Sequence, residues 1–254
     1  MNGPGLGLAR VARTAVTGLT RGLGSGIRAG RAWLADAATL VYPQRCPSCG
    51  RETGAELVLC PACWRAIPRA GLIVCARCLG DGNEPVHCLR HTGFRAGVAW
   101  VYDERAAAVM GAFKYGGRPD LANLLAEVMS QAPRPIARPD LVTEVPLHPA
   151  RRRERGFDQA ALLAASLAVH IGVPWVPGVL ERTRATRAQA RLDGRARRAN
   201  LAGALRVVRP EMLDGRKVLL VDDVITTGAT LEAGLEALGA CGAEAAAAAV
   251  AWAQ

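Results

Sequence analysis

A chain of 254 residues, half of them apolar, can hold one full-sized core and a small accessory module rather than a string of domains. Its net charge of +10 rests almost wholly on arginine, with Lys114 and Lys217 the only lysines. That balance points to an anionic partner (phosphorylated metabolite, nucleic acid or acidic surface) or to arginines that are merely solvated. No run approaches the ~18 apolar residues of a membrane-spanning helix, and with 4% aromatic residues the core has to be built from Ala, Val and Leu.

In chain order, residues 1–31 (MNGPGLGLARVARTAVTGLTRGLGSGIRAGR) are rich in Gly and Arg and contain no acid, a composition shared by flexible tails and organelle transit peptides. They contain no compact apolar core ahead of a small-residue cleavage site, so we read them as a disordered tail of a cytoplasmic protein. GPGLGL and GLGSG match no G-x-G-x-x-G loop and follow no strand.

Residues 32–92 read as a helix followed by a cysteine-rich module. Seven of the eight cysteines fall between Cys46 and Cys88, as CPSC, CPAC, CARC and HCLRH. A C-x2-C turn brings two thiolates to one ion, and two such turns complete a tetrahedral zinc site. Cys46, Cys49, Cys60 and Cys63 form one full set. Cys75 and Cys78 need two more ligands, which Cys88 and His91 offer at the same spacing, with His87 a competing ligand. Disulfides are the alternative, but an odd number of cysteines and no secretion signal argue against an oxidised framework. Cys241 stands apart and reads as a small apolar residue.

From residue 93 to 254 the pattern alternates between strand-like and helix-like stretches. The strands are VAWVY (98–102), LVTEVPL (141–147), LRVV (205–208), KVLLV (217–221) and the alanine-rich AAAAAVAW near the end. Between them AAAVMGAFKY, DLANLLAEVMSQ and FDQAALLAASLAVH repeat apolar residues at helical spacing. The alternation predicts a parallel α/β sheet flanked by helices, which binds ligands at the carboxyl ends of its strands.

The string VLLVDDVITTGAT (218–230) is the most informative. A central strand runs into Asp222 and Asp223, and TTGATLEAGLEALG starts a helix with Leu231, Leu235 and Leu238 on one face. Thr226, Thr227, Gly228, Ala229 and Thr230 place hydroxyls and free N–H groups at a helix N-terminus, a phosphate cradle. It lacks the lysine of a Walker A loop. Two carboxylates beside a phosphate would repel it unless they face sugar hydroxyls, so a ribose 5-phosphate fits. The alternative is an aspartate pair that only ends a strand and caps a helix.

These residues resemble the 5-phosphoribosyl 1-diphosphate signature of type I phosphoribosyltransferases. Together with VYPQRCPSCG, FKYGGRPDLANLLA, VPLHPARRRERGFDQA and RTRATRAQARLDGRARRANLAGAL, they resemble the ComF family, which joins a zinc-ribbon-like N-terminal module to such a domain. The resemblance implies a glycosyltransferase (pentosyltransferase) that displaces pyrophosphate from ribose C1 with a nitrogen nucleophile, with Mg2+ on the diphosphate. It makes Asp222 and Asp223 the catalytic carboxylates, and Arg151, Arg155 and Lys114 the diphosphate grip. It also makes the Arg182–Asn200 stretch a mobile loop that excludes water, with Arg182, Arg184, Thr186, Gln189, Leu192, Arg195 and Asn200 at the family spacing. The family has Asn where this chain has Asp158, which leaves that residue's role open. Because the family is associated with DNA uptake in natural transformation, a second expectation is a protein that handles single-stranded DNA alongside the competence machinery and keeps the ribose phosphate site as a sensor without turnover. The chain is basic enough for salt-sensitive DNA binding, although aromatic stacking platforms are sparse.

Overall fold

A computed structural model describes residues 44–54, 57–81, 85–86, 88–147, 149–183 and 203–254. The chain divides into two compact units, 1–66 and 67–254. No helix among the described residues is long and apolar enough to cross a membrane.

The described part of the first unit is a metal knuckle followed by a short helix. Arg45 and Glu52 form an antiparallel bridge, and the turn between them closes through Cys46 N–H to Arg51 O (2.8 Å) and Gly50 N–H to Cys46 O (2.9 Å). Gly50 sits at φ 72°, a left-handed position that glycine takes without strain. Helix α1 (Pro61–Ala66) starts with the residue whose missing N–H costs nothing at a helix start.

The second unit is built on one five-stranded sheet in the order β1-β2-β7-β6-β3. Its strands are β1 (Arg69–Cys75), β2 (Arg95–Val101), β3 (Leu141–Glu144), β6 (Lys217–Ile225) and β7 (Glu244–Trp252). Strands β2, β7, β6 and β3 pair in parallel, while β1 joins the edge antiparallel to β2. On β6, Val218 and Leu220 pack with Leu231, Leu235 and Leu238 of helix α7 (Ala229–Ala240). Because strand side chains alternate, Leu219 and Val221 face the other side, where α4 (Leu121–Gln131) and α6 (Gln159–Ile171) pack. All four strand residues are fully buried, which explains an apolar run with no polar alternation.

Two elements depart from expectation. LRVV does not enter the main sheet: β5 (Leu205–Val207) pairs with β4 (Leu180–Arg182) in a separate two-stranded ribbon. β1, not foreseen as a strand, follows the first cysteine set, ends on Cys75 of the second and adds itself to the main sheet. The remaining helices are α2 (Ala76–Asp81), α3 (Glu104–Tyr115) and α5 (Pro149–Arg155), with a 3-10 turn at Thr92–Phe94.

Candidate functional site

The site begins where β3 stops. Its last pairing to β6 is Glu144 with Val221, whereas β6 stays paired with β7 as far as Ile225. The strand thus continues past both aspartates, further than the sequence suggested, and Asp222 and Asp223 lie beyond the end of one neighbour, at the carboxyl end of the parallel sheet. Each carboxylate accepts the N–H of the next residue: Asp222 Oδ1 from Asp223 (2.8 Å) and Asp223 Oδ1 from Val224 (2.6 Å).

Desolvation and the adjacent Asp223 carboxylate push the Asp222 carboxyl up to about 7, against the pull of Lys114 and Arg182. Asp223 itself is neutralised by Lys114, whose Nζ lies 2.9 Å from Asp223 Oδ2, both side chains less than a fifth exposed. Lys114 therefore sits in the site, but in this structure it pairs with a carboxylate.

After Ile225 the chain turns through Thr226 and Thr227 to Gly228, which begins α7 at φ 74° with no side-chain cap. The first intrahelical bond runs from Glu232 N–H to Gly228 O (2.8 Å), so the N–H groups of Ala229, Thr230 and Leu231 precede the helical ladder and point out of its end. Together with Asp222 and Val224–Thr227 they line a small concavity. The glycine has a reason that sequence reasoning missed. A Cβ at Gly228 would collide with the carbonyl oxygen of Ala76, so its bare face is filled by α2 rather than kept open for a ligand.

Arg155, at the end of α5, is held on three sides. Its guanidinium stacks 4.8 Å from the Tyr115 ring centre, Nη2 donates to Tyr115 Oη (2.9 Å) and Nη1 to Gln159 Oε1 (2.9 Å). Its buried Nε has no partner among the described residues. Tyr115 and Gln159 were not singled out from sequence. The available signal was position, since one follows Lys114 and the other ends the GFDQ string. Asp158 is the N-cap of α6, accepting from Ala161 N–H at 3.1 Å. Arg182 Nε donates to Pro146 O (2.8 Å), pinning the strand that leads into the Arg-rich stretch against the segment after β3. The Arg151 side chain lies outside the described residues, as do Arg184, Thr186, Gln189, Leu192, Arg195, Asn200 and His87.

Both sets of predicted metal ligands converge. The ligand atoms of Cys46, Cys49, Cys60 and Cys63 lie within 4.8 Å of one another, and so do those of Cys75, Cys78, Cys88 and His91. Zinc with Zn–S near 2.3 Å and Zn–N near 2.0–2.1 Å has tetrahedral S–S edges of ~3.8 Å and S–N edges of ~3.6 Å. The Cys49–Cys60 Sγ separation is 3.7 Å, and His91 Nδ1 lies 3.7, 3.4 and 3.6 Å from the sulfurs of Cys75, Cys78 and Cys88. Burial, with the neighbouring thiols adding to it, pushes Cys63 and Cys78 up to about 12. Thiolates this crowded coexist only around a cation, and the soft sulfur donor set fits zinc.

Comparison with known proteins gives matches on both features. The family model described as phosphoribosyl transferase domain matches residues 158–254, and that of the double zinc ribbon domain residues 37–89. The chain is 32% identical over 192 residues to DNA utilization protein YhgH of Escherichia coli (strain K12), covering 73% of this chain and 80% of that protein. It is 30% identical over 204 residues to Competence protein F of Haemophilus influenzae, covering 74% and 87%. A solved adenine phosphoribosyltransferase from Leishmania tarentolae aligns over 56% of this chain and 74% of its own at 16% identity, with a TM-score of 0.35. The zinc ribbon match and the two convergent clusters support structural zinc.

Proposed function

Because the chain belongs to the ComF family, we propose that it binds 5-phosphoribosyl 1-diphosphate with Mg2+ and transfers the phosphoribosyl group to a nitrogen acceptor. One observation carries the reading: paired carboxylates at the open end of the central parallel strand run directly into a turn whose helix presents three N–H groups outside its own ladder. The 5-phosphate would sit on the N–H groups and hydroxyls of 226–230, and the ribose hydroxyls on Asp222 and Asp223.

In the reaction the C1–O bond to diphosphate breaks, a C1–N bond forms, and the nitrogen loses its proton. Negative charge grows on the leaving group while the sugar becomes cationic, so carboxylates beside the ring and guanidinium groups near the diphosphate lower the barrier. Arg155, already oriented by Tyr115 and Gln159, fits the second role, with Arg151 beside it on α5. Lys114 would exchange Asp223 for a phosphate oxygen. Hard oxygen donors at 222 and 223 suit Mg2+, which when bound with the diphosphate supplies further charge neutralisation. Closure of the 182–200 stretch would exclude the water that competes at C1. The reading places the protein in the cytoplasm, where thiols stay reduced for zinc.

Calorimetric titration of zinc-loaded protein with phosphoribosyl diphosphate and Mg2+ tests this. Saturable binding is expected, abolished in an Asp222→Asn, Asp223→Asn double variant, and a folded wild type that takes up no ligand overturns it. The net charge of +10 supports a second reading, in which the basic chain also contacts single-stranded DNA. On that reading the double variant keeps salt-sensitive DNA binding, whereas loss of both activities from a folded variant contradicts two separate sites.

A further inference from the structure

The second metal cluster and the turn at 226–230 touch through the two residues between Cys75 and Cys78. Ala76 lays its backbone against the face where Gly228 lacks a Cβ. Arg77 reaches over the same turn of α7 from outside, with Nε 2.7 Å from Glu232 Oε1 and Nη2 3.3 Å from Glu236 Oε1. Its guanidinium also lies 3.8 Å from the centre of the Phe94 ring, in the 3-10 turn that directly follows the ligand His91. Beneath these contacts Val74 and Ala76 share an apolar cluster with Leu231 and Leu235.

The geometry points to Arg77 as a positioning residue: it ties the Cys75–Cys78–Cys88–His91 cluster to the first turn of α7 and holds that turn's N–H groups in register. Three features set it apart from an ordinary surface ion pair. Glu232 is 6% exposed, so its ion pair with Arg77 is shielded from water as a surface pair is not. The guanidinium uses its planar fork and its face together, which a lysine cannot reproduce. The clamp closes one turn from the Gly228 N-cap, where a tilt of the helix start displaces every donor at once.

The functional half of the inference rests on the phosphate-cradle reading of 226–230; the mechanical half does not. Zinc-loaded full-length wild type, Arg77→Met, Arg77→Lys and Glu232→Gln are compared by metal analysis, by amide hydrogen exchange without ligand, and by titration with phosphoribosyl diphosphate and Mg2+. Arg77→Met is expected to keep its zinc and the protection of β6 and β7 while exchange at 226–232 speeds up about tenfold. Affinity for phosphoribosyl diphosphate is expected to fall by a similar factor, with partial recovery in Arg77→Lys. Wild-type exchange at 226–232 in a metal-loaded Arg77→Met chain overturns the proposal, and so does loss of protection spread evenly over the sheet, which would mark a merely structural residue. Should the methionine variant lose zinc, Glu232→Gln, which weakens the clamp from the helix side by removing its buried charge, carries the same comparison. Faster local exchange in a chain whose wild type binds no phosphoribosyl diphosphate upholds the clamp and removes the cradle.

Discussion

Asp222 bears a conflict that leaves a signature in stability. Its carboxyl is pushed up to about 7 in the folded chain from the 3.8 of an ordinary aspartate, first by desolvation and then by Asp223. A raised carboxyl contributes stability that is fully present below pH 4 and is lost as pH rises through 7, because the folded state holds a proton that the unfolded chain releases. Asp222→Asn removes that loss. The variant is expected to gain on the order of 2–4 kcal/mol over wild type at pH 8, with the gap shrinking to near zero at pH 4. Melting curves across that range check it, and parallel curves for the two proteins contradict it. Stability gained by removing a site carboxylate is the usual relation between a strained site and its function.

Among the elements, the strand–turn–helix from β6 into α7 was legible because each part carries its own physical signal. VLLV is apolar on both faces, Thr-Thr-Gly breaks the pattern, and Leu231, Leu235 and Leu238 recur at helical spacing; all three are buried as expected. β1 was not legible. RAGLIVC alternates Ala70, Leu72 and Val74 toward the core, but Gly71 and the apolar Ile73 blur the pattern, and it is a strand because β2 offers it an edge, a tertiary cause that no local window contains. LRVV has strand composition, but composition does not choose a partner, and its pairing with Leu180–Arg182 places it in the ribbon. The role of Asp158 likewise became clear only with α6 in place. As an N-cap, Asp158→Ala is expected to cost about 1 kcal/mol while Asp158→Asn costs almost nothing. Thermal unfolding of the pair checks this, and a large loss in the asparagine variant would mean that the negative charge does more than cap the helix.

At the scale of the whole molecule, two metal clusters serve two different kinds of core. In the first unit the described buried residues are chiefly the ligands themselves, Cys46, Cys60 and Cys63, joined by Leu59 and Thr53. With so little apolar area to bury among these described residues, metal binding is expected to supply much of the folding free energy of 44–66. A strong chelator is expected to abolish amide protection across residues 44–66 while β6 and β7 stay protected, and fresh protein is expected to contain two zinc ions per chain. Unchanged protection at 44–66 after zinc removal, or less than half a zinc per chain, contradicts that picture. The second cluster is seated differently, since β1 ends at Cys75 and is hydrogen-bonded into the main sheet. Without β1, the edge of the sheet would be Arg95–Val101, whose buried apolar residues and unpaired backbone groups would invite pairing with another chain. The second knuckle and the sheet are therefore one structural piece, joined through β1. Loss of the first cysteine set leaves the bulged β1 as the edge of the sheet, whereas loss of the second exposes the apolar β2 in its place.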